Sequence, residues 1–71
     1  MFNTKLFKAH MTLKDVTNVK LSDALRLSLS TTIDRVNGRS EFRASEIQTC
    51  IKLLELNAQD VLNIFFANDV S

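Results

Sequence analysis

The chain has 71 residues, 45% hydrophobic and 24% charged, with a formal net charge of +1. This length and composition predict a single domain over residues 1–71 with a compact all-α fold, and they exclude a chain held by internal disulfides, because Cys50 is the single cysteine. No apolar run is long enough to cross a membrane or to act as a signal peptide, so we expect a cytoplasmic protein of a reducing compartment with no membrane partner.

The first predicted helix begins after Asn3, whose side chain can accept from the free N–H groups of the first turn. Phe2 and Phe7 flank this cap at the spacing of a hydrophobic staple. Apolar residues spaced four and three apart predict the face that meets the core: Phe2, Leu6, Ala9, Leu13 and Val16. His10 has no Cys, His or Asp at metal-ligand or catalytic spacing, so we expect an ordinary surface or boundary histidine.

Two short helices joined by a tight turn are predicted over residues 17–37. Thr17 and Ser28 are good N-cap residues for them, and Gly38 ends the second helix because glycine readily adopts a left-handed conformation. Arg26 lies in the turn, where a positive φ is required and a non-glycine residue costs about 1 kcal/mol. The inward-facing residues are predicted to be Val16, Leu21, Leu25, Leu27, Thr32 and Val36. This arrangement is a helix-turn-helix.

The start of the fourth helix is left open by two competing patterns. Ser45 with Gln48 forms a capping box, whereas Phe42 over Ile47 forms a hydrophobic staple for an earlier start. The core face follows one apolar spacing and consists of Ile47, Cys50, Ile51 and Leu54. We therefore expect Cys50 to be a small core residue rather than a nucleophile.

The fifth helix carries more apolar residues than one face can hold. Asn57 is expected to cap it, with Asp60 three residues further on. Val61, Ile64 and Phe65 form one apolar face, and Leu62 with Phe66 forms another. A short helix cannot bury both against so small a core, so we predict a homodimer interface that contains Leu62, Phe65 and Phe66. The alternative is that both phenylalanines fold into the core of the monomer.

Charge is divided unevenly along the chain. Residues 1–43 carry eight Lys or Arg against four Asp or Glu, a net charge of +4, and residues 44–71 carry one against four, a net charge of −3. The helix-turn-helix lies in the basic part, as a surface that faces phosphates requires. Chance clustering in a short chain is the alternative.

A resemblance to a known family covers nearly all of residues 13–66. Residues 16–28 read VTNVKLSDALRLS, which is similar to the signature Leu-Thr-Gln-x-x-Leu-Ala-x-x-Leu-Gly-Ile-Ser of the Cro/repressor family. The later Asn37-Gly38-Arg39 resembles that family's usual Asn-Gly-Lys. Members are lambda-repressor-like DNA-binding domains of five helices, common in temperate phages, so the resemblance implies that fold and a location in the cytoplasm or nucleoid of a bacterial host.

The resemblance also implies a function and a site, with the helix-turn-helix at about 17–37. In that family the second helix of the motif enters the major groove, and dimers span two half-sites about one helical turn apart. A Cro-like repressor that binds a palindromic double-stranded DNA operator as a homodimer is therefore implied. Asn18 stands where a Gln usually holds a phosphate, and Asn37, Arg39 and Arg43 stand where the backbone is usually gripped. The positions implied at the base edges are Ser28, Leu29, Ser30 and Asp34, with Ile33 beside them, and Thr31 is expected among the DNA-binding residues.

The chain departs from the family's pattern in ways that keep a second function open. Arg26 replaces the usual turn glycine, Ser22 replaces the usual alanine, and the reading face lacks long side chains for bidentate base contacts. Leu29 and Ile33 lie four apart on that face, so the alternative is a helix-turn-helix scaffold that binds protein, such as an antirepressor. The chain shows no paired carboxylates, nucleophile–base pair or glycine-rich phosphate loop, so we expect neither an enzyme nor a cofactor, metal or small-molecule substrate.

Overall fold

The computed structural model describes residues 2–66, which contain five helices and no strand. The helices are α1 (Thr4–Leu13), α2 (Asn18–Leu25), α3 (Leu29–Val36), α4 (Ala44–Leu54) and α5 (Ala58–Phe65). The predicted all-α fold of five helices is confirmed over these residues, while Met1 and residues 67–71 of the predicted domain lie outside them. In the part of the chain so described, no helix has the length and apolar character needed to cross a membrane.

Four helices begin at the predicted cap residues. In each, a side-chain oxygen accepts from an amide nitrogen in the first turn, at 2.8–3.2 Å. These caps are Asn3, Thr17, Ser28 and Asn57. The remaining helix, α4, begins at Ala44 with Arg43 at its N-cap position, so the earlier of the two predicted starts is confirmed. Local hydrogen bonding between a cap and its first turn accounts for this agreement.

Left-handed residues end four helices. Arg26 has φ 58°, as predicted, and Asp15, Gly38 and Glu55 have φ 55°, 77° and 53°. The amide after each of them donates to a carbonyl five residues back, at 2.8–3.1 Å, which satisfies a helix-end oxygen. At Gly38 a Cβ atom would also lie 3.3 Å from Thr4 Oγ1. Glycine is therefore favoured at this position for two reasons, the positive φ and the close approach of α1.

The core forms where the inward faces of the helices meet. Four phenylalanine rings pack together with centroids 5.3–6.1 Å apart, two of them buried and two partly buried at the edge of the core. They join the chain before α1, α1 itself, the segment before α4, and α5. These rings are Phe2, Phe7, Phe42 and Phe65. Thr32 is fully buried as predicted, and its hydroxyl donates to the Ser28 carbonyl oxygen at 3.0 Å. Cys50 is also buried, which raises the pKa of its thiol to about 12 and confirms its place in the core.

The predicted core face of α1 is wrong at two positions. Ala9 is exposed and Leu13 is 73% exposed, whereas Phe7 and Met11 are buried. The reason is that Phe7 joins the aromatic cluster, and Met11 follows it on the same face one turn later. Burial of the larger ring therefore fixes the rotation of α1 against the other helices.

The three residues of the predicted dimer interface lie in different surroundings. Phe65 is only 9% exposed, and its ring contacts the rings of Phe2, Phe7 and Phe42 in the aromatic cluster. Its ring therefore packs in the core of the monomer. Leu62 and Phe66 remain 42% and 40% exposed. The alternative in which both phenylalanines are buried holds for one of them only.

Candidate nucleic-acid interface

The candidate interface is built on α2, α3 and the three-residue turn between them. The two helices pack against each other, and α3 also contacts α1. Thr32 and Val36 lie four residues apart and are buried, which turns the opposite side of α3 to solvent. Leu29 and Ser30 are exposed in the first turn of α3, where Leu29 keeps 44% of its surface accessible, and we call this accessible part of the helix, with Ile33 and Asp34 one turn later, its outer side.

Hydroxyl groups cluster at the start of α3. Ser28 Oγ accepts from the Thr31 amide at 3.2 Å, donates to Thr31 Oγ1 at 2.9 Å and lies 3.5 Å from Ser30 Oγ. Ser28 and Thr31 therefore use much of their hydrogen-bonding capacity on each other. Ser30 is the member of this cluster with most freedom to bond elsewhere, because its single contact is at the limit of hydrogen-bonding distance.

A groove of about 400 Å³ brings three of the predicted DNA-binding residues together. Asn18 from the start of α2, Ile33 from α3 and Asn37 from the end of α3 line it, together with Lys8 and Thr12 of α1. Its remaining lining residues are Met11, Val16 and Val36. An ammonium, a hydroxyl and two amides around one depression are groups that bind phosphate oxygens.

Lys8 and Thr12 were missed by the sequence analysis. Both lie on one side of α1 because they are four residues apart, and Thr12 Oγ1 donates to the Lys8 carbonyl oxygen at 3.1 Å. Their spacing indicates a shared face of α1, but the sequence does not say that this face lies beside α3, because that depends on how α1 is rotated against the other helices. The other predicted interface residues do not line the groove: Ser28, Leu29, Ser30, Thr31, Asp34, Arg39 and Arg43.

The loop after α3 holds the two predicted phosphate-binding arginines in different surroundings. Arg39 Nη1 donates to Asp34 Oδ1 at 3.4 Å, and both side chains are at least half exposed. Arg43 is exposed at the start of α4, where its backbone amide donates to Glu46 Oε1 at 2.9 Å. The positive charge of Arg39 is therefore partly offset by its neighbour, which the sequence analysis did not anticipate.

A buried ion pair behind α3 was also missed. Arg35 Nε donates to Glu46 Oε1 at 2.8 Å, and the two side chains are only 11% and 9% exposed. The hydrogen bond to Glu46 raises the pKa of the Arg35 guanidinium above its ordinary value. Burial would raise the pKa of the Glu46 carboxyl, but hydrogen bonds from Arg35 and from the Arg43 amide outweigh it, so that pKa lies below its ordinary value. The sequence did contain a signal for the burial of Arg35: it follows Thr32 by three residues, so it lies next to the inward face of α3.

This pair reduces the difference in free charge between the basic and acidic parts of the chain. Arg35 belongs to the basic part of the chain and Glu46 to the acidic part, yet they neutralise each other in the interior. Lys14 of α1 likewise lies 3.2 Å from Glu55 at the end of α4. Exposed positive charges that stay near α3 include those of Lys8, Arg39 and Arg43.

His10 lies away from this interface, at the contact between α1 and α5. Its Nε2 is 3.8 Å from Asp60 Oδ1, and its side chain is partly buried, in keeping with a boundary histidine. Among residues 2–66 no group of three His, Cys, Asp or Glu side chains is placed to hold a metal ion.

Fold and site together define a small all-α domain in which two short helices present a polar surface beside a groove. The chain belongs to the DUF739 family, whose model, described as a protein of unknown function, matches residues 2–68. No curated protein and no solved structure matches the chain.

Proposed function

We propose that this protein is a sequence-specific DNA-binding transcriptional regulator, a Cro-like repressor that binds a palindromic operator as a homodimer. The observation that carries the proposal is the groove between α1, α2 and α3, where Asn18, Asn37 and Lys8 converge. This groove adjoins the exposed outer side of α3, so side chains that hold phosphates and side chains that reach bases come from one surface.

Phosphate contacts fix a protein on the duplex, and base contacts select its sequence. In this proposal Asn18, Asn37 and Lys8 hold one stretch of backbone at the groove. Arg39 and Arg43 hold the backbone beyond the end of α3. Lysine and arginine supply the salt-dependent part of the affinity, because each phosphate they neutralise releases counterions.

The outer side of α3 supplies the contacts to bases. Ser30 can hydrogen-bond to a base edge, whereas Leu29 and Ile33 can make only apolar contacts, for which the thymine methyl is the partner in the major groove. Asp34 can accept from a cytosine amino group when it is free of Arg39. The proposal therefore favours operator half-sites that contain thymine.

The homodimer in this proposal forms through α5. Leu62 and Phe66 are large apolar side chains that remain exposed near the end of the described chain. A twofold symmetric contact through them would present two copies of α3 to two half-sites. Such a regulator acts in the cytoplasm, on the nucleoid of a bacterial host.

The proposal is tested by duplex binding as a function of salt. Asn18→Ala, Arg39→Ala and Arg43→Ala should each weaken binding to all duplexes alike, because phosphates carry no sequence information. Arg39→Ala should also lower the slope of log affinity against log salt by about 0.9 per bound monomer. Lys52→Ala is the matched control, since it removes an exposed positive charge on α4 and should leave the slope unchanged.

Two outcomes of this experiment would contradict the proposal. One is a wild-type protein that binds no duplex even at low salt. The other is an Arg39→Ala variant that prefers a different sequence while its salt slope stays that of the wild type.

A second function is favoured by one specific observation, the exposure of Leu29 on the outer side of α3. With half-buried Ile33 four residues later, it forms a small apolar strip on a helix. A partner protein could dock on this strip, and the domain would then be a scaffold such as an antirepressor. Substitutions of Leu29 and Ile33 separate this function from DNA binding.

A further inference from the structure

Arg35 connects three segments of the chain through its forked side chain. Nε donates to Glu46 Oε1 at 2.8 Å, Nη2 approaches Glu46 Oε2 at 3.5 Å, and Nη1 donates to Ser40 Oγ at 2.8 Å. Glu46 Oε1 accepts in addition from the Arg43 amide at 2.9 Å. We name the four residues Arg35, Ser40, Arg43 and Glu46 the clamp. The clamp ties α3 and α4 to the loop between them.

The loop held by the clamp, residues 37–43, is the one that carries the proposed phosphate contacts. Asn37, Arg39 and Arg43 all lie in it. At its first end, the amides of Arg39 and Ser40 both donate to the Asp34 carbonyl oxygen, at 2.9 and 3.4 Å. At its other end the clamp holds the Ser40 side chain and the Arg43 backbone. The positions of Arg39 and Arg43 relative to α3 are therefore set from both sides.

Within the clamp, the ion pair of Arg35 and Glu46 is too buried to contact DNA and gives no net attraction to phosphates, whereas Arg43 takes part through its backbone amide and keeps an exposed side chain. Arg35 and Glu46 have side chains that are about nine-tenths buried, and their charges cancel. A buried ion pair is also a weak source of stability, because desolvation of both charges offsets most of their attraction. Unlike apolar side chains, the pair supplies directional hydrogen bonds, because one rigid guanidinium binds a carboxylate and a hydroxyl at the same time.

We infer that Arg35 and Glu46 are positioning residues for nucleic-acid binding, which hold residues 37–43 so that Arg39 and Arg43 meet the DNA backbone. This inference rests on the proposed function. It predicts that the contribution of Arg39 to binding depends on an intact clamp, although neither Arg35 nor Glu46 contacts DNA. A residue that merely stabilised the fold would lower affinity without changing that dependence.

The test compares Arg39→Ala in two backgrounds that both keep the net charge of the chain. The first is Arg35→Met with Glu46→Leu, which replaces the buried pair with apolar side chains. The matched control is Lys14→Met with Glu55→Gln, which removes the exposed pair at 3.2 Å instead. The probe is a duplex of about 20 base pairs selected by the wild-type protein from a random library, long enough for two half-sites.

In the wild-type and control backgrounds, Arg39→Ala should lower the salt slope by about 0.9 per monomer. In the background without the clamp, we expect a folded protein with about tenfold weaker binding, because charged hydrogen bonds to phosphate are lost. There Arg39→Ala should change the slope little, since Arg39 is no longer held at a phosphate. If Arg39→Ala lowered the salt slope equally with and without the clamp, the inference would be overturned.

Ser40→Ala keeps the inference testable if the double variant does not fold. It removes only the hydroxyl that Arg35 Nη1 binds. We expect faster hydrogen exchange at the amides of residues 39–43 and about threefold weaker duplex binding, while unchanged exchange and affinity would overturn the inference. A wild-type protein that binds no duplex overturns the proposed function and this inference with it. A wild-type protein that binds, beside clamp variants that bind equally well, overturns the inference alone.

Discussion

The Asp34 carboxylate accepts a hydrogen bond from Arg39 Nη1 at 3.4 Å across the turn that ends α3. The backbone closes the same turn, because the Arg39 amide donates to the Asp34 carbonyl oxygen at 2.9 Å. The acidic residue of the proposed reading face therefore lies against a cation proposed to bind phosphate. Any phosphate that binds Arg39 has to compete with Asp34, and the pair is exposed enough for that exchange.

Asp34→Asn should raise the affinity for unrelated duplexes a few-fold at low salt. The substitution frees Arg39 and removes a negative charge that phosphates repel, and an exposed ion pair offers only modest resistance to exchange. It should also relax selectivity at one base pair. Fluorescence anisotropy with selected and unrelated duplexes measures both effects. Glu55→Gln is the control, because it makes the same change in net charge at the end of α4. Weaker binding by Asp34→Asn to every duplex would show that Asp34 helps rather than opposes the contact.

Phe65 and Phe66 should respond to substitution in opposite ways. Phe65→Ala removes one of the four rings of the aromatic cluster and leaves a cavity, so it should destabilise the fold by about 3–5 kcal/mol, which is much of the stability of a small domain. Phe66→Asp alters an exposed ring, so we expect a folded monomer. Light scattering behind size exclusion should show a dimer for the wild-type protein at micromolar concentration. A wild-type protein that stays monomeric at high concentration would refute the proposed α5 contact.

Acidification should weaken the fold partly through Glu46. Its pKa in the folded state lies below the ordinary carboxyl value, so the unfolded state binds more protons as pH falls. Its stabilising contribution is complete above the unfolded pKa of about 4.3 and is lost as pH falls through the lower folded value. Urea unfolding should show Glu46→Gln less stable than wild type at pH 7, with a smaller further loss on acidification. Parallel losses in both proteins would contradict this assignment.

Arg26→Gly should stabilise the protein by up to about 1 kcal/mol, because glycine adopts a positive φ without steric cost. Arg26 has φ 58° and ends α2, so the strain is relieved where the turn to α3 begins. Thermal unfolding of Lys52→Gly provides the opposite control, since that glycine enters the interior of α4 and should destabilise it. A lower midpoint for Arg26→Gly would indicate that the arginine side chain makes a compensating contact.

The sequence predicted features that depend on neighbours along the chain. Asn3, Thr17, Ser28 and Asn57 each bond an amide three residues away, so cap and partner are fixed together. The turn at Arg26 followed in the same way, from the need for a left-handed residue between two short helices. The fold class and all five helices could therefore be predicted.

The sequence could not predict features that depend on distant packing. On α1, two apolar faces were available, and the aromatic cluster selected Phe7 rather than Leu13. Phe65 packs in that cluster against Phe42, which lies 23 positions earlier in the sequence. The bond between Arg35 and Glu46 was hidden because charged side chains are expected on the surface. The groove beside Asn18 depends on the same rotation of α1, so Lys8 could not be assigned to it beforehand.

The central claim, that the outer side of α3 enters the major groove, is tested most directly by replacing thymine with uracil in the selected operator. Opposite Leu29 or Ile33 the missing methyl should cost on the order of 1 kcal/mol, about fivefold in affinity. Leu29→Ser should abolish that difference at its own position while other thymines keep theirs. The contradicting result is duplex binding that neither uracil nor any α3 substitution alters, while Leu29→Ser or Ile33→Ser abolishes capture of a protein from host lysate.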